Sequence, residues 1–209
     1  MTYRSINILD AIEQIGESAT QELISDFSCS KNQDIQHFLQ HNAIDFAKRK
    51  ISITHLVFDE EKRIVGYYTL THKPLLISEK DRASLSKSDE KKIARYCKLD
   101  EDSGAYTVSA FLIAQFGKSD RSSIGGNELM QAAVATLTMV QRQVGGGIIF
   151  LECEDHEKLL AFYQNEQNCY KRYGFRKSDK DAKTYVRLLR FFLIVNACQL
   201  WGARFFCER

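Results

Sequence analysis

The stretch from about Ala105 to Cys153 constrains this chain most. An apolar run, YTVSAFLIAQF, leads into a loop from Gly117 to Gly126. A segment from about Asn127 to Gln143 follows, with Leu129, Ala133, Leu137 and Val140 along one stripe, and beyond Gly145-Gly146-Gly147 comes the run IIFLEC. Uncharged runs rich in β-branched and aromatic residues predict strands, and the 3.6-residue spacing between them predicts a helix that the glycines end. A strand, loop, helix and strand in that order form the centre of a mixed α/β layer fold.

The flanking segments fit the same plan. Apolar residues at Leu9, Ile12, Ile15, Leu23 and Ile24 predict a helix over about 9–24, and Ile35, Phe38, Leu39, Ala43 and Phe46 predict another over about 34–49. From Ile51 to Leu70 the short runs THLVF and IVGYYTL, separated by DEEKR, predict a β-hairpin. The charged, serine-rich stretch 78–102 is expected to be a surface excursion with a short helix near 90–97 and no catalytic part. A helix from near Asp155, with Leu159, Leu160 and Phe162 inward, and strands over about 171–176 and 184–192 complete the pattern.

At 209 residues, 44% hydrophobic and 27% charged, the chain is long enough for one domain with a real core and too apolar for disorder. Lysine and arginine total 29 against 27 for aspartate and glutamate, so no strongly basic surface is announced; Lys48, Arg49, Lys50, Lys91, Lys92, Lys171 and Arg172 are the candidates for a local patch. The N-terminus has no apolar stretch flanked by basic residues, which favours the cytoplasm. Cys29, Cys97, Cys153, Cys169, Cys198 and Cys207 stand singly, as free thiols do in a reducing compartment. His37, His41, His55 and His72 have no metal-ligand spacing, so no metal is expected.

Chemistry concentrates in Arg121-Ser122-Ser123-Ile124-Gly125-Gly126-Asn127, between a strand and a helix start. Unpaired N–H groups and the positive end of the helix dipole attract a phosphate there, and glycine lets it approach the backbone. A plain turn using glycine for its dihedral freedom gives the same pattern. Neither GxGxxG nor GxxxxGK[ST] is present, which argues against dinucleotide and P-loop readings.

RSSIGGNELM resembles the acetyl-CoA signature [QR]-x-x-G-x-[GA] of the GNAT superfamily of N-acetyltransferases, with Arg121 first and Gly126 last. Ile124 departs from it, standing where the middle glycine is usual, and the glycine has moved to Gly125. Downstream, EDHEKLLAFY resembles the family's [N]-x-x-[AL]-x-x-[FL]-Y helix, with His156 in the usual place of asparagine, and NCYKRYGF resembles its closing [YF]-x-x-x-G-F. FSCSKNQDIQHFLQHNA and LVFDEEKRIVGYYTL are similar to the subgroup containing acetyltransferase toxins of bacterial toxin–antitoxin pairs.

The resemblance implies an acyl-CoA N-acyltransferase fold over residues 1–192, a mixed sheet with helices on both faces, that passes acetyl from acetyl-CoA directly to a primary amine. It implies that the loop from Arg121 to Asn127 holds the pyrophosphate and that main chain at Ala114 and Phe116 pairs with the pantetheine arm. A tyrosine then protonates the leaving thiolate: Tyr163, which ends the matched helix, or Tyr170, which stands at the proper distance before Gly174-Phe175, with Gln164 to Asn168 an insertion between them. Glu152 and Asp155 are candidate bases acting through water, and Asp155 also reads as a helix N-cap. The acceptor stays open among aminoacyl-tRNA, polyamines, aminoglycosides and protein amines, and the toxin likeness implies an antitoxin partner. A binding module that keeps the fold and senses acyl-CoA without turnover is the rival reading.

Residues 193–209 form an apolar extension containing Leu193, Ile194, Val195, Leu200, Trp201, Phe205 and Phe206. It is too short to span a bilayer and too apolar to leave in water, so it is expected either to make homodimer contacts or to fold back on its own subunit.

Overall fold

A computed structural model of the chain describes residues 2–178 and 183–192. The C-terminal extension, with the association surface expected of it, lies outside the described residues. The elements run β1 (Arg4–Asn7), α1 (Ile8–Ile15), α2 (Glu17–Ser25), α3 (Gln33–His41), α4 (Ala43–Lys48), β2 (Ile53–Phe58) and β3 (Ile64–Ile77). They continue as α5 (Glu79–Arg82), α6 (Lys87–Ile93), β4 (Leu99–Asp100), β5 (Ala105–Lys118), α7 (Gly126–Val144), β6 (Ile148–Glu154), α8 (Glu157–Gln164), β7 (Lys171–Lys177) and β8 (Thr184–Phe191).

Both N-terminal helices expected from the apolar spacing are broken in two. Gly16 adopts φ 86° between α1 and α2, a left-handed backbone that ends one helix and lets the next start at a new angle. Asn42 interrupts the second segment between α3 and α4. The Asn7 and Asn32 side chains cap α1 and α3 by accepting first-turn N–H groups. The apolar spacing carries across both breaks because each pair of short helices packs on one surface.

The sheet runs in the order β1-β2-β3-β5-β6-β8-β7, with β4 added to β5. Every pairing is antiparallel except that of β5 with β6. One face carries Tyr68, Leu70, Phe111, Ile113, Ile149, Leu151 and Leu188, covered by α7 and α8 through Leu129, Met130, Ala133, Leu137 and Tyr163. The other face is covered in two parts. Helices α1 to α4 close over Leu56, Phe58 and Tyr67 with Ile24, Leu39 and Ile44. The stretch 78–102 closes over Val108, Ala110, Ile148, Phe150 and Leu189 with Ile93 and Leu85. That excursion is therefore part of the fold's wall: Ile93 is fully buried, and Asp89 beneath it accepts both Lys171 Nζ at 2.8 Å and the Ser86 hydroxyl at 2.7 Å.

Candidate active site

Strands β5 and β6 run side by side for two rungs only, Phe111 opposite Ile149 and Leu112 opposite Phe150. Beyond them β5 stays on β3 as far as Lys118, and β6 stays on β8 as far as Glu154. The strands part into a wedge whose lips are residues 113–118 on one side and 151–154 on the other.

A β-bulge marks the β5 lip. Thr69 pairs with Gln115 and Leu70 with Ile113, so Ala114 has no residue opposite it on β3 and lies exposed. A bulge bends its strand and sharpens the local twist, here at the point where β5 leaves β6. Phe116, two residues on, is half-buried and stacks with Phe162 of α8, ring centroids 6.0 Å apart.

The loop from β5 to α7 is held from outside. Asp120 receives the Ser30 N–H at 2.8 Å and the Ser30 hydroxyl at 3.1 Å, and the Asp120 N–H donates to the Ser28 carbonyl at 2.9 Å. Ser122 turns the chain by accepting the Ile124 N–H at 3.1 Å, and Ser123 lies 3.4 Å from the Tyr3 hydroxyl. Ile124 points inward and is 1% exposed, packed in the cluster under α7. Its side chain thus anchors the loop and leaves the loop's outer surface clear. Gly125 precedes α7 in an extended conformation and no side chain caps the helix, so its first N–H groups stand uncapped at the positive end of a 19-residue dipole. Arg121 is exposed beside them and pairs with no carboxylate among the described residues.

Gly126 and Asn127 have structural work of their own. A Cβ on Gly126 would stand 3.0 Å from the Phe162 ring, whereas one on Gly125 would meet nothing closer than 3.9 Å. The Asn127 side chain binds the segment after α8: its Oδ1 accepts Asn165 Nδ2 at 3.1 Å and Asn168 Nδ2 at 2.9 Å, and its Nδ2 donates to Gln167. Asn168 also donates to the Phe162 carbonyl at 2.8 Å. The segment expected as an insertion is thus a tight turn fastened to the start of α7, and only the Asn127 backbone is left for a ligand.

Tyr163 and Tyr170 meet edge to face at 5.8 Å in the core beneath this turn. Burial pushes both hydroxyls well above the ordinary tyrosine value, Arg190 opposing the shift at Tyr170, so both stay protonated at neutral pH. Their surroundings differ. Tyr170 is 2% exposed and its hydroxyl rests 3.7 Å from Met130 Sδ. Tyr163 is 8% exposed and its hydroxyl makes no hydrogen bond to any described residue.

The candidate bases are not equivalent either. Glu152 is held by Arg176 at 2.7 Å and lies 3.8 Å from Arg187. Asp155 is exposed and does not cap α8; His156 does, its Nδ1 accepting the Lys158 N–H at 3.2 Å. His156, standing where the resembled helix pattern has asparagine, is thus the N-cap of α8. The basic residues expected as one patch fall into two groups at opposite ends of the sheet. Lys48 and Arg49 pair with Glu17 and Asp45, and Lys171 and Lys92 share Asp89. Among the described residues no group of histidine, cysteine, aspartate and glutamate is placed to hold a metal, and no helix is long and apolar enough to cross a membrane.

The chain has a mixed α/β, GNAT-like fold whose sheet is split between two parallel strands, with an uncapped helix start beside the split. Solved structures agree. AtaT complexed with acetyl-methionyl-tRNAfMet aligns over 88% of this chain and 94% of its own at a TM-score of 0.55 and 17% identity. A tyrosine-to-phenylalanine mutant of KacT aligns over 91% and 95% at 0.56 and 19%. AtaTR bound with AcCoA aligns over 89% and 91% at 0.52 and 18%. No family model matches the sequence, and neither does any curated protein.

Proposed function

We propose that the protein is an acetyl-CoA-dependent N-acetyltransferase that transfers acetyl directly to a primary amine. The observation that carries this reading is the open β5 lip at Ala114, beyond the two rungs that join β5 to β6, followed along the chain by the uncapped start of α7 at Gly125. One is an unpaired backbone edge for an amide-bearing arm, the other a cluster of N–H groups for a pyrophosphate. With the arm paired along Ala114 to Phe116, the thioester lies in the wedge. A lip N–H donates to its carbonyl and stabilises the negative charge that develops as the amine attacks. The tetrahedral intermediate collapses with loss of the CoA thiolate, which takes its proton from Tyr163, the tyrosine whose hydroxyl is not engaged. The amine gives up its proton through water to Asp155, since Glu152 is held by two arginines.

The acceptor we favour is the amino group of an aminoacyl-tRNA, a reading supported by the shared fold with AtaT, whose structure holds acetyl-methionyl-tRNAfMet. In the same reading the protein is a cytoplasmic homodimer that an antitoxin neutralises. Thiol release from acetyl-CoA with a panel of amines, charged tRNA included, tests the activity. Thermal stabilisation by acetyl-CoA with no thiol released for any amine would instead support the binding module. Light scattering on the full chain and on a chain ending at Phe192 tests the dimer; a full-length monomer at micromolar concentration removes it.

A further inference from the structure

Helix α8 ends at Gln164 with no glycine to close it, and the chain leaves through Asn165 in an extended conformation. The last carbonyls of a helix need donors from elsewhere. Two find them in the turn that follows. The Phe162 carbonyl accepts Asn168 Nδ2 at 2.8 Å, and the Tyr163 carbonyl accepts the Tyr170 N–H at 3.0 Å. Asn168 is fully buried, and its Nδ2 also reaches Asn127 Oδ1 at 2.9 Å. Asn127 and Gln131 stand one turn apart on α7 and both grip this turn, Gln131 Nε2 donating to the Gln167 carbonyl at 3.2 Å. Side-chain amides thus fasten the last turn of α8 to the first turn of α7.

Tyr163 depends on that fastening. Its hydroxyl bonds to no described residue, so its place is set by the backbone that carries it and by the rings around it, Phe162 at 4.9 Å and Tyr170 at 5.8 Å. Phe162 in turn packs on Gly126 and is held at its carbonyl by Asn168. We infer that Asn127 is a positioning residue for the transfer: through Asn168 and the end of α8, its amide holds the Tyr163 hydroxyl within reach of the departing CoA sulfur. The hydroxyl gives its proton to that sulfur and regains one from water. The inference rests on Tyr163 being the acid. Misplacing a reacting group by about 1 Å can cost on the order of a hundredfold in rate, so a bond two residues removed from the tyrosine has leverage on turnover.

A double-mutant cycle on thiol release tests it, with acetyl-CoA affinity measured by calorimetry alongside. Asn127→Ala should lower kcat about tenfold or more and leave affinity within about twofold. In a Tyr163→Phe background the same change should cost less than about twofold, because the group it positions is already gone. Asn127→Asp keeps an acceptor oxygen for Asn165 and Asn168, so it should recover kcat while its charge beside the helix start weakens acetyl-CoA. Asn127→Ser, one bond too short to bridge and at home at a helix start, repeats the measurement if the alanine variant does not fold. An unchanged kcat, or equal losses in both backgrounds, overturns the inference and leaves Tyr163 as the acid. Full turnover in Tyr163→Phe removes the acid and the inference with it, and no thiol release by the wild type with any amine removes the transfer reading on which both rest.

Discussion

Phe162 lies against the backbone of Gly126 so closely that a β-carbon there would stand 3.0 Å from its ring, while the neighbouring Gly125 faces open space. The two glycines of the loop therefore answer different questions. Gly125→Asp places a negative charge at the uncapped helix start without touching the core, and acetyl-CoA affinity should fall at least tenfold with little change in melting temperature. Gly126→Asp should lower both, because Phe162 must move. Unchanged affinity in Gly125→Asp, measured by calorimetry, would remove the pyrophosphate from this loop.

Tyr163→Phe should lower thiol release by roughly ten- to a thousand-fold with acetyl-CoA affinity nearly unchanged, since only a proton donor is lost. Tyr170→Phe gives up a hydroxyl that touches only the Met130 sulfur and should change turnover far less. The opposite order would make Tyr170 the acid.

Ile124→Gly restores the glycine usual in the signature, yet it should harm the protein. The side chain is buried in the cluster under α7, and its removal should cost about 2 to 4 kcal/mol, read as a lower melting temperature. A variant as stable as the wild type with tighter acetyl-CoA binding would contradict the anchoring role.

His55 stacks on Tyr68 with ring centroids 5.1 Å apart, and burial lowers its pKa from 6.5 to about 4. The unfolded chain therefore takes up this proton first as pH falls. Stability should be full above about pH 6.5, decline at up to about 1.4 kcal/mol per pH unit towards pH 4, and level off in this respect below it. His55→Phe should flatten that part of the profile in urea titrations at several pH values; an unchanged slope would mean that His55 takes up its proton in the fold.

The strand-loop-helix centre was legible because its signal is local: apolar periodicity, three glycines and a change of period from two to 3.6. The hairpin and both closing strands were legible for the same reason, and the overall fold followed. Other features depend on relations between distant residues. The bulge at Ala114 exists only in the register of β5 against β3, and nothing in AFLIAQF announces it. Asn127 looked like a ligand residue because it sits in the motif, but its partners, Asn165, Gln167 and Asn168, lie about forty positions on. The stretch 78–102 looked like surface because most of it is polar; Leu85 and Ile93 suffice to fasten it over the sheet. Four residues are too few for β1 to show a period, and Gly16 leaves no mark in the pattern because the apolar spacing resumes after it.

The two-rung seam between β5 and β6 has a consequence for how the molecule coheres. Residues 4–118 close one antiparallel ladder and residues 148–191 close another, and α7 with the glycines after it is the strap between them. The sheet is in effect two plates clipped together at Phe111–Ile149 and Leu112–Phe150. A ligand pressed into the wedge touches both plates and acts as a rivet. A backbone nick at Gly145-Gly146-Gly147 would then leave two fragments whose reassembly such a ligand promotes, turning occupancy of the wedge into a signal that fragment complementation can read.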